Sequence, residues 1–132
     1  MLQQSHIMAR DLEAARKFYS ATARTLGLAL IDVREDGFLV GRPSDASNPV
    51  LQVKAACAEA RAAAEQPETQ PAYVAIEAPD DFTVRAFYRG AMELGGGQLG
   101  YPAPQPTQGR YSYYAAKVAD PDGNCIECGW RH

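Results

Sequence analysis

The residues best suited to chemistry lie near the end of the chain, in the stretch "ADPDGNCIECGW" from 119 to 130. Cys125 and Cys128 have the spacing of a redox or zinc-binding pair. The stretch also has the pattern of a turn followed by a strand, and side chains alternate across a strand. Cys125 and Glu127 are therefore expected on one face and Cys128 on the other. This geometry makes the Cys-x-x-Cys spacing incidental and leaves Glu127 as the candidate functional residue.

A second group of candidates is rich in tyrosine and precedes that strand. It consists of Arg110, Tyr111, Tyr113 and Tyr114. Alternation places Tyr111 and Tyr113 on one face and Tyr114 on the other. Tyrosines lining a concave surface can stack on a planar ligand and hydrogen-bond to it, and an arginine can pair with an anionic group. We predict that these four residues bind a ligand; the alternative is that the rings cap the sheet or seal a subunit contact.

An internal repeat predicts the elements that position these residues. The segment 6–27, "HIMARDLEAARKFYSATARTLG", is similar to the segment 73–95, "YVAIEAPDDFTVRAFYRGAMELG". Each copy begins with a short apolar alternation, passes an aspartate and enters an apolar pattern with helical spacing. The predicted N-caps are Asp11 and either Asp80 or Asp81, and the predicted helix ends are Gly27 and Gly95.

The segments after each helix have the alternation of strands. They are 28–35, 37–42 and 49–55 in the first half, and 111–119 and 124–130 in the second. For the Gly/Pro-rich segment 95–109 we expect one strand near its start and a loop that could close over a ligand. The sequence thus predicts one domain over 1–132, with a first module at about 1–55, a linker at 56–71 and a second module at 72–132.

Composition excludes several classes of function. The chain has 132 residues, of which 46% are hydrophobic and 22% charged, as in a globular domain. A net charge of -3 gives no general reason to bind nucleic acid or an anionic membrane. No apolar run approaches the roughly 20 residues that cross a bilayer, and the N-terminus lacks the pattern of a signal peptide. With three cysteines, which cannot all pair within one chain, a cytoplasmic location is expected.

The repeated modules, together with "YYAAKVADPDGNCIE" near the end, resemble the vicinal oxygen chelate superfamily. This superfamily comprises glyoxalases, bleomycin-resistance proteins and extradiol dioxygenases, and the resemblance extends from His6 to Trp130. It implies an α+β fold in which two tandem βαβββ modules form a curved mixed sheet around a cavity, and it implies a homodimer. In metal-dependent members, a histidine on the first strand and a carboxylate on the last strand of each module hold a divalent metal.

Residue by residue, this chain matches part of that ligand set. His6 matches the first histidine and Glu127 the final carboxylate, whereas Tyr73 stands where the second histidine belongs. The last strand of the first module offers only Gln52 or Lys54. The resemblance therefore implies either a divalent metal (Zn, Ni, Mn or Fe) bound by His6 and Glu127, or no metal. Glu127 and Tyr73 are the implied catalytic residues.

Three functions follow from these observations. The preferred interpretation is a binding protein with a degenerate metal site, whose cavity of His6, Tyr73, Glu127 and tyrosines holds a small molecule. The alternative is a metal-dependent lyase, isomerase or dioxygenase acting on a small oxygenated metabolite. A third interpretation, assembly with a partner chain, has no distinctive sequence signal.

Overall fold

The computed structural model describes residues 5–45, 47–55, 72–107, 109 and 111–132. The first module contains β1 (Ser5–Ala9), α1 (Leu12–Thr25), β2 (Ala29–Arg34), β3 (Gly37–Gly41), a 3-10 turn (Pro43–Asp45) and β4 (Leu51–Ala55). The second module contains β5 (Tyr73–Glu77), α2 (Asp81–Glu93), β6 (Gly97–Gln105), β7 (Tyr113–Ala119) and β8 (Cys125–Arg131). The predicted linker, Cys57 and Arg110 lie outside the described residues.

The strands form two separate four-stranded sheets, with the orders β1-β4-β3-β2 and β5-β8-β7-β6. In each sheet the first and last strands of the module pair in parallel, and the other neighbours are antiparallel. The predicted α+β fold of two βαβββ modules is therefore confirmed.

Both helices begin and end where the sequence predicts. The Asp11 carboxylate accepts a hydrogen bond from the Ala14 amide at 3.1 Å. Of the two candidate caps for α2, Asp80 is the one used, and it accepts from the Thr83 amide at 2.7 Å. Gly27 and Gly95 follow the helices with φ values of +71° and +79°, a region that glycine adopts without steric cost. Within the described ranges, neither helix is long and apolar enough to cross a membrane.

The core lies between the helices and one face of each sheet. Phe18 of α1 and Phe87 of α2 are each 1% exposed, and α1 contacts α2. Alternate strand residues such as Ile7, Val53 and Ile126 point into this core. The intervening residues, among them His6 and Glu127, therefore lie on the faces of the sheets that the helices do not cover.

The turn "DPDGN", between β7 and β8 of the second module, makes hydrogen bonds to the first module. As the sequence predicts, it is a tight turn: the Asp120 carboxylate accepts hydrogen bonds from the amides of Asp122 and Asn124. Asp120 also accepts a hydrogen bond from the buried Tyr19 hydroxyl of α1 at 2.6 Å, and Asp122 accepts one from the Arg10 amide at 2.9 Å. Tyr19 and Asp120 are both buried, so their bond joins the modules away from solvent, whereas the bond from Arg10 is at the surface.

The segment 97–105 corrects the prediction of a loop that could close over a ligand. It forms the nine-residue strand β6, which pairs with β7 through two register shifts. Pro102 and Pro104 lie within this strand. Because β6 is at the edge of its sheet, one side of its backbone needs no partner strand, and an edge strand tolerates proline for that reason.

Candidate functional site

Glu127 is the centre of the candidate site. Pairing places it on β8 between Ala75 of β5 and Lys117 of β7, and its side chain is 13% exposed. Its Oε1 accepts a hydrogen bond from the Tyr73 hydroxyl at 2.5 Å, and its Oε2 accepts one from the Tyr113 hydroxyl at 2.6 Å. The Lys117 ammonium lies 3.7 Å from Oε1. We call Glu127, Tyr73, Tyr113 and Lys117 the carboxylate cluster.

A glycine lets Tyr113 reach Glu127. Tyr113 is paired with Arg131, which lies four residues after Glu127 on β8. The Tyr113 ring must therefore run along β8, and it crosses Gly129 on the way. A Cβ atom at Gly129 would overlap the Tyr113 ring, so only glycine permits this approach.

The two phenols of the carboxylate cluster act as hydrogen-bond donors. Burial, followed by the hydrogen bond to Glu127, raises the pKa of Tyr73 and of Tyr113 above the ordinary tyrosine value. Both hydroxyls therefore keep their protons at neutral pH. Two neutral donors and a neighbouring ammonium complete the surroundings of the Glu127 carboxylate.

The positions of Cys125 and Cys128 support the interpretation that their spacing is incidental. Both are free; Cys125 is partly exposed on the face of Glu127, and Cys128 is buried on the opposite face. Burial raises the pKa of the Cys125 thiol and raises that of Cys128 to about 12. Because metal binding and redox chemistry need the thiolate, neither thiol is prepared for them.

The structure separates the predicted tyrosines from one another. Tyr113 joins the carboxylate cluster, whereas the Tyr111 ring lies 4.9 Å from the guanidinium carbon of Arg131. Tyr114 is on the other face of β7, where it packs against the core and lies 6.0 Å from the guanidinium carbon of Arg85 of α2. Arg110, the fourth residue of this group, is outside the described part of the chain.

His6 is not joined to the carboxylate cluster. It is exposed on β1, in the other sheet, where it is paired with Gln52. Across the residues that the structure describes, no hydrogen bond or ion pair links His6 to Glu127, and no group of three or more His, Cys, Asp or Glu side chains is placed to hold a metal ion. The described side chains therefore do not assemble the two-histidine, two-carboxylate site that the resemblance implies.

A cleft of about 550 Å³ lies between the two modules. We call it the intermodule cleft. One wall comes from the first module, with Leu26, Leu28, Arg42, Asp45, Asn48 and Val50; the other comes from the second, with Ala75, Ile76, Glu77, Tyr113, Gly129 and Arg131. Tyr113 belongs both to this cleft and to the carboxylate cluster. His6, Tyr73 and Glu127 are not among its lining residues.

Some of the residues that shape the site escaped the sequence analysis. Gly129 was not recognised as the residue that admits the Tyr113 ring. Lys117 could have been placed beside Glu127, because the strands β7 and β8 flank one tight turn and their register follows from it. Arg42 and Arg131 have no local sequence signal, since they line one cleft only when the modules pack together.

Comparisons with known proteins give the same fold. The family model described as "Glyoxalase/Bleomycin resistance protein/Dioxygenase superfamily" matches residues 2–128. A search of curated proteins finds no match. Among solved structures, a glyoxalase/bleomycin resistance protein from Albidiferax ferrireducens T118 is 23% identical, with a TM-score of 0.78 and coverage of 99% of each chain.

Two further crystal structures are similar over almost the whole chain. A glyoxalase/bleomycin resistance protein/dioxygenase family enzyme from Burkholderia phytofirmans PsJN is 18% identical, with a TM-score of 0.66 and coverage of 96% of this chain and 95% of that one. A glyoxalase-related enzyme from Fulvimarina pelagi is 18% identical, with a TM-score of 0.70 and coverage of 98% and 87%. On the match over residues 2–128, the chain belongs to the glyoxalase/bleomycin resistance protein/dioxygenase superfamily.

Proposed function

We propose that this protein binds a small organic molecule in the intermodule cleft without a metal ion, and that Tyr113, which the carboxylate cluster holds in place, contacts the ligand. The observation that carries the proposal is the state of Glu127: each of its oxygens already accepts a short hydrogen bond from a tyrosine. These bonds, with the Lys117 ammonium 3.7 Å from Oε1, stabilise the carboxylate without a metal ion. They also hold the Tyr113 ring, which lines the cleft and suits an apolar or planar ligand.

The cleft has the size and composition of a ligand site. Its volume of about 550 Å³ falls in the range of roughly 300–1,000 Å³ that is usual for small-molecule pockets. About half of its lining is apolar, with side chains such as Leu28 and Ile76, and the rest is polar or charged, including Tyr113. The apolar part supplies affinity through burial, and the polar groups orient the ligand through hydrogen bonds.

A thermal-shift screen tests this proposal. Small aromatic acids, amides and phenols are added to the protein with and without a chelator, and at least one should raise the melting temperature equally in both. A ligand at 100 times its Kd stabilises the native state by about 2.7 kcal/mol. Ala75→Phe should reduce the shift because Ala75 is exposed in the cleft and a larger side chain fills it. His6→Ala, on the other sheet, is the control and should respond like the unaltered protein.

The alternative is a divalent-metal-dependent lyase, isomerase or dioxygenase in which His6 and Glu127 hold the metal. Its support is positional, because both residues lie on sheet faces that the helices leave uncovered, on the first and last strands of the fold. Elemental analysis of protein purified without chelator distinguishes the two. Near-stoichiometric metal that His6→Ala removes, together with stabilisation by Ni²⁺, Mn²⁺ or Fe²⁺ and by no organic compound, would replace our proposal with this one.

A homodimer and a cytoplasmic location remain part of the proposal. Exposed apolar side chains at sheet edges, such as Met8 on β1 and Tyr73 on β5, are compatible with a subunit contact. Light scattering coupled to size-exclusion chromatography measures the mass in solution. A mass of one chain at all concentrations would remove the dimer from the proposal and leave ligand binding to be judged separately.

A further inference from the structure

The intermodule cleft carries an unusual arrangement of charges. Two arginines, Arg42 from the first module and Arg131 from the second, line it together with Asp45 and Glu77. The ion pairs found in the described ranges involve none of these four residues. Among the residues that the structure describes, neither guanidinium has a carboxylate partner, which leaves their hydrogen-bonding capacity for a bound molecule.

Arg131 is oriented without being neutralised. Its guanidinium lies over the Tyr111 ring, with 4.9 Å between the guanidinium carbon and the ring centroid. Backbone hydrogen bonds between Ser112 and His132 hold the two strand ends together, so the ring and the arginine keep their relative positions. A guanidinium stacked on a ring can still donate two parallel hydrogen bonds from its N–H edge to one carboxylate.

The two acidic residues of the cleft differ in how they are used. Asp45 accepts hydrogen bonds from the Ser47 hydroxyl at 3.1 Å and from the Asn48 amide nitrogen at 3.2 Å, so it organises its own loop. Glu77, at the end of β5, has no such contact with the described residues and is exposed in the cleft. The formal charges of the cleft therefore balance, and a small inorganic anion gains little there. A molecule with an anionic group and a separate hydrogen-bond donor for Glu77 fits the arrangement better.

Apart from Asn48 and Tyr113, the remaining lining is apolar. Leu26, Val50 and Ile76 are partly buried and border the core, and they leave room for the body of a ligand. Burying apolar area contributes roughly 25 cal/mol per Å², so an apolar body adds affinity that the charges alone would not supply. Tyr113 completes the cleft and connects it to Glu127.

We infer that the ligand of the intermodule cleft is a small organic carboxylate with an apolar or aromatic body and a separate hydrogen-bond donor. Its carboxylate pairs with Arg42 and Arg131, and its donor faces Glu77. This inference rests on the proposed function, because it names the chemical class of the ligand for the same cleft.

The test compares acids with their uncharged amides by calorimetric titration. The probes are 4-hydroxybenzoate, 4-hydroxyphenylacetate and 3-(4-hydroxyphenyl)propionate, whose phenol supplies the donor for Glu77. Each is paired with its primary amide, which keeps the shape and removes the charge. At least one acid should bind about ten times more tightly than its amide. Arg42→Gln and Arg131→Gln should each weaken acid binding about tenfold and leave amide binding unchanged. Arg89→Gln removes an exposed arginine of α2 outside the cleft and should change neither.

Each other outcome overturns the inference. If an amide binds as tightly as its acid, or if Arg42→Gln and Arg131→Gln behave like Arg89→Gln, the ligand is not selected by its carboxylate, and the proposed function stands with a neutral ligand. If no acid binds, the ligand class is wrong, and the wider thermal-shift screen then decides the proposed function. Circular dichroism of the three variants, all at exposed positions, checks that they are folded.

Discussion

At the level of single residues, the carboxylate cluster depends on the space that small neighbours leave on the sheet. Gly129 lies under the Tyr113 ring, and Ala75 lies beside Glu127 on the adjacent strand. With this space, both phenols reach one carboxylate from two different strands. Each oxygen of the Glu127 carboxylate therefore accepts a hydrogen bond from a tyrosine hydroxyl that stays protonated at neutral pH.

Replacing Gly129 should disconnect Tyr113 from Glu127. In Gly129→Ala the added methyl group would overlap the Tyr113 ring, so the ring must move and the hydrogen bond to Glu127 must lengthen or break. We expect the chemical shifts of the Tyr113 ring to change strongly and any ligand of the intermodule cleft to bind more weakly. Gly100→Ala is the control, because its methyl group would make only ordinary contacts with Lys117. Equal effects of the two substitutions would contradict this account.

Alkaline pH should destabilise the protein through its hydrogen-bonded tyrosines. The pKa of Tyr73 and of Tyr113 is raised in the folded state, so the folded protein holds these protons more tightly than the unfolded chain, whose tyrosines have a pKa of about 10. Their contribution to stability is therefore present below pH about 10 and is lost as the pH rises further. Urea unfolding at a series of alkaline pH values measures this decline. It should be shallower in Tyr73→Phe/Tyr113→Phe, whereas Tyr101→Phe, which removes an exposed hydroxyl, should follow the unaltered protein.

At the level of secondary structure, the caps determine where the helices begin, and the edge strand β6 completes the second sheet. Asp11 and Asp80 begin the two helices in the same way, which is the structural counterpart of the sequence repeat. Strand β6 is nine residues long, although it contains glycines and prolines, which are uncommon in strands. Each module also pairs its last strand with its first. In the second module this pairing lets the Tyr73 side chain reach Glu127, although the register partner of Tyr73 is Cys125.

The cap of α1 can be tested separately. Asp11→Ala removes the acceptor for the Ala14 amide and should lower the free energy of unfolding by about 1 kcal/mol. Asp11→Asn keeps a side-chain oxygen at the same place and should retain most of the stability. Chemical denaturation of both variants provides the measurement. A loss as large in Asp11→Asn as in Asp11→Ala would mean that charge, and not the cap hydrogen bond, stabilises this helix end.

At the level of the whole molecule, the two modules are joined by buried polar contacts as well as by the packing of α1 against α2. The Tyr19 hydroxyl of the first module donates to the Asp120 carboxylate of the second, and both residues are buried. Burial, and then the nearby Asp120 charge, raise the pKa of Tyr19, so the hydroxyl remains a donor. The relative position of the modules, on which the intermodule cleft depends, is fixed in part by this bond.

Tyr19→Phe should weaken the connection between the modules. It removes one donor to a buried carboxylate, and a hydrogen bond to a charged group contributes about 2 kcal/mol. The free energy of unfolding should fall by about that amount, and hydrogen exchange should increase at α1 and at the turn near Asp120. The control is Tyr88→Phe, a partly buried tyrosine of α2 whose observed contact is with the Tyr101 ring. A Tyr19→Phe protein as stable as Tyr88→Phe would show that packing alone holds the modules.

The sequence by itself determined what depends on neighbours along the chain. Caps, helix ends and strand alternation act over a few residues, so the helices and the separation of Cys125 from Cys128 were predictable. Glu127 was also identifiable, through the resemblance. Only the tertiary structure decided which tyrosines contact Glu127, because strand register and the space at Gly129 involve residues on different strands. It also placed His6 on a separate sheet and placed Arg42 and Arg131 in one cleft, because packing between modules is set by their whole surfaces and not by any local pattern.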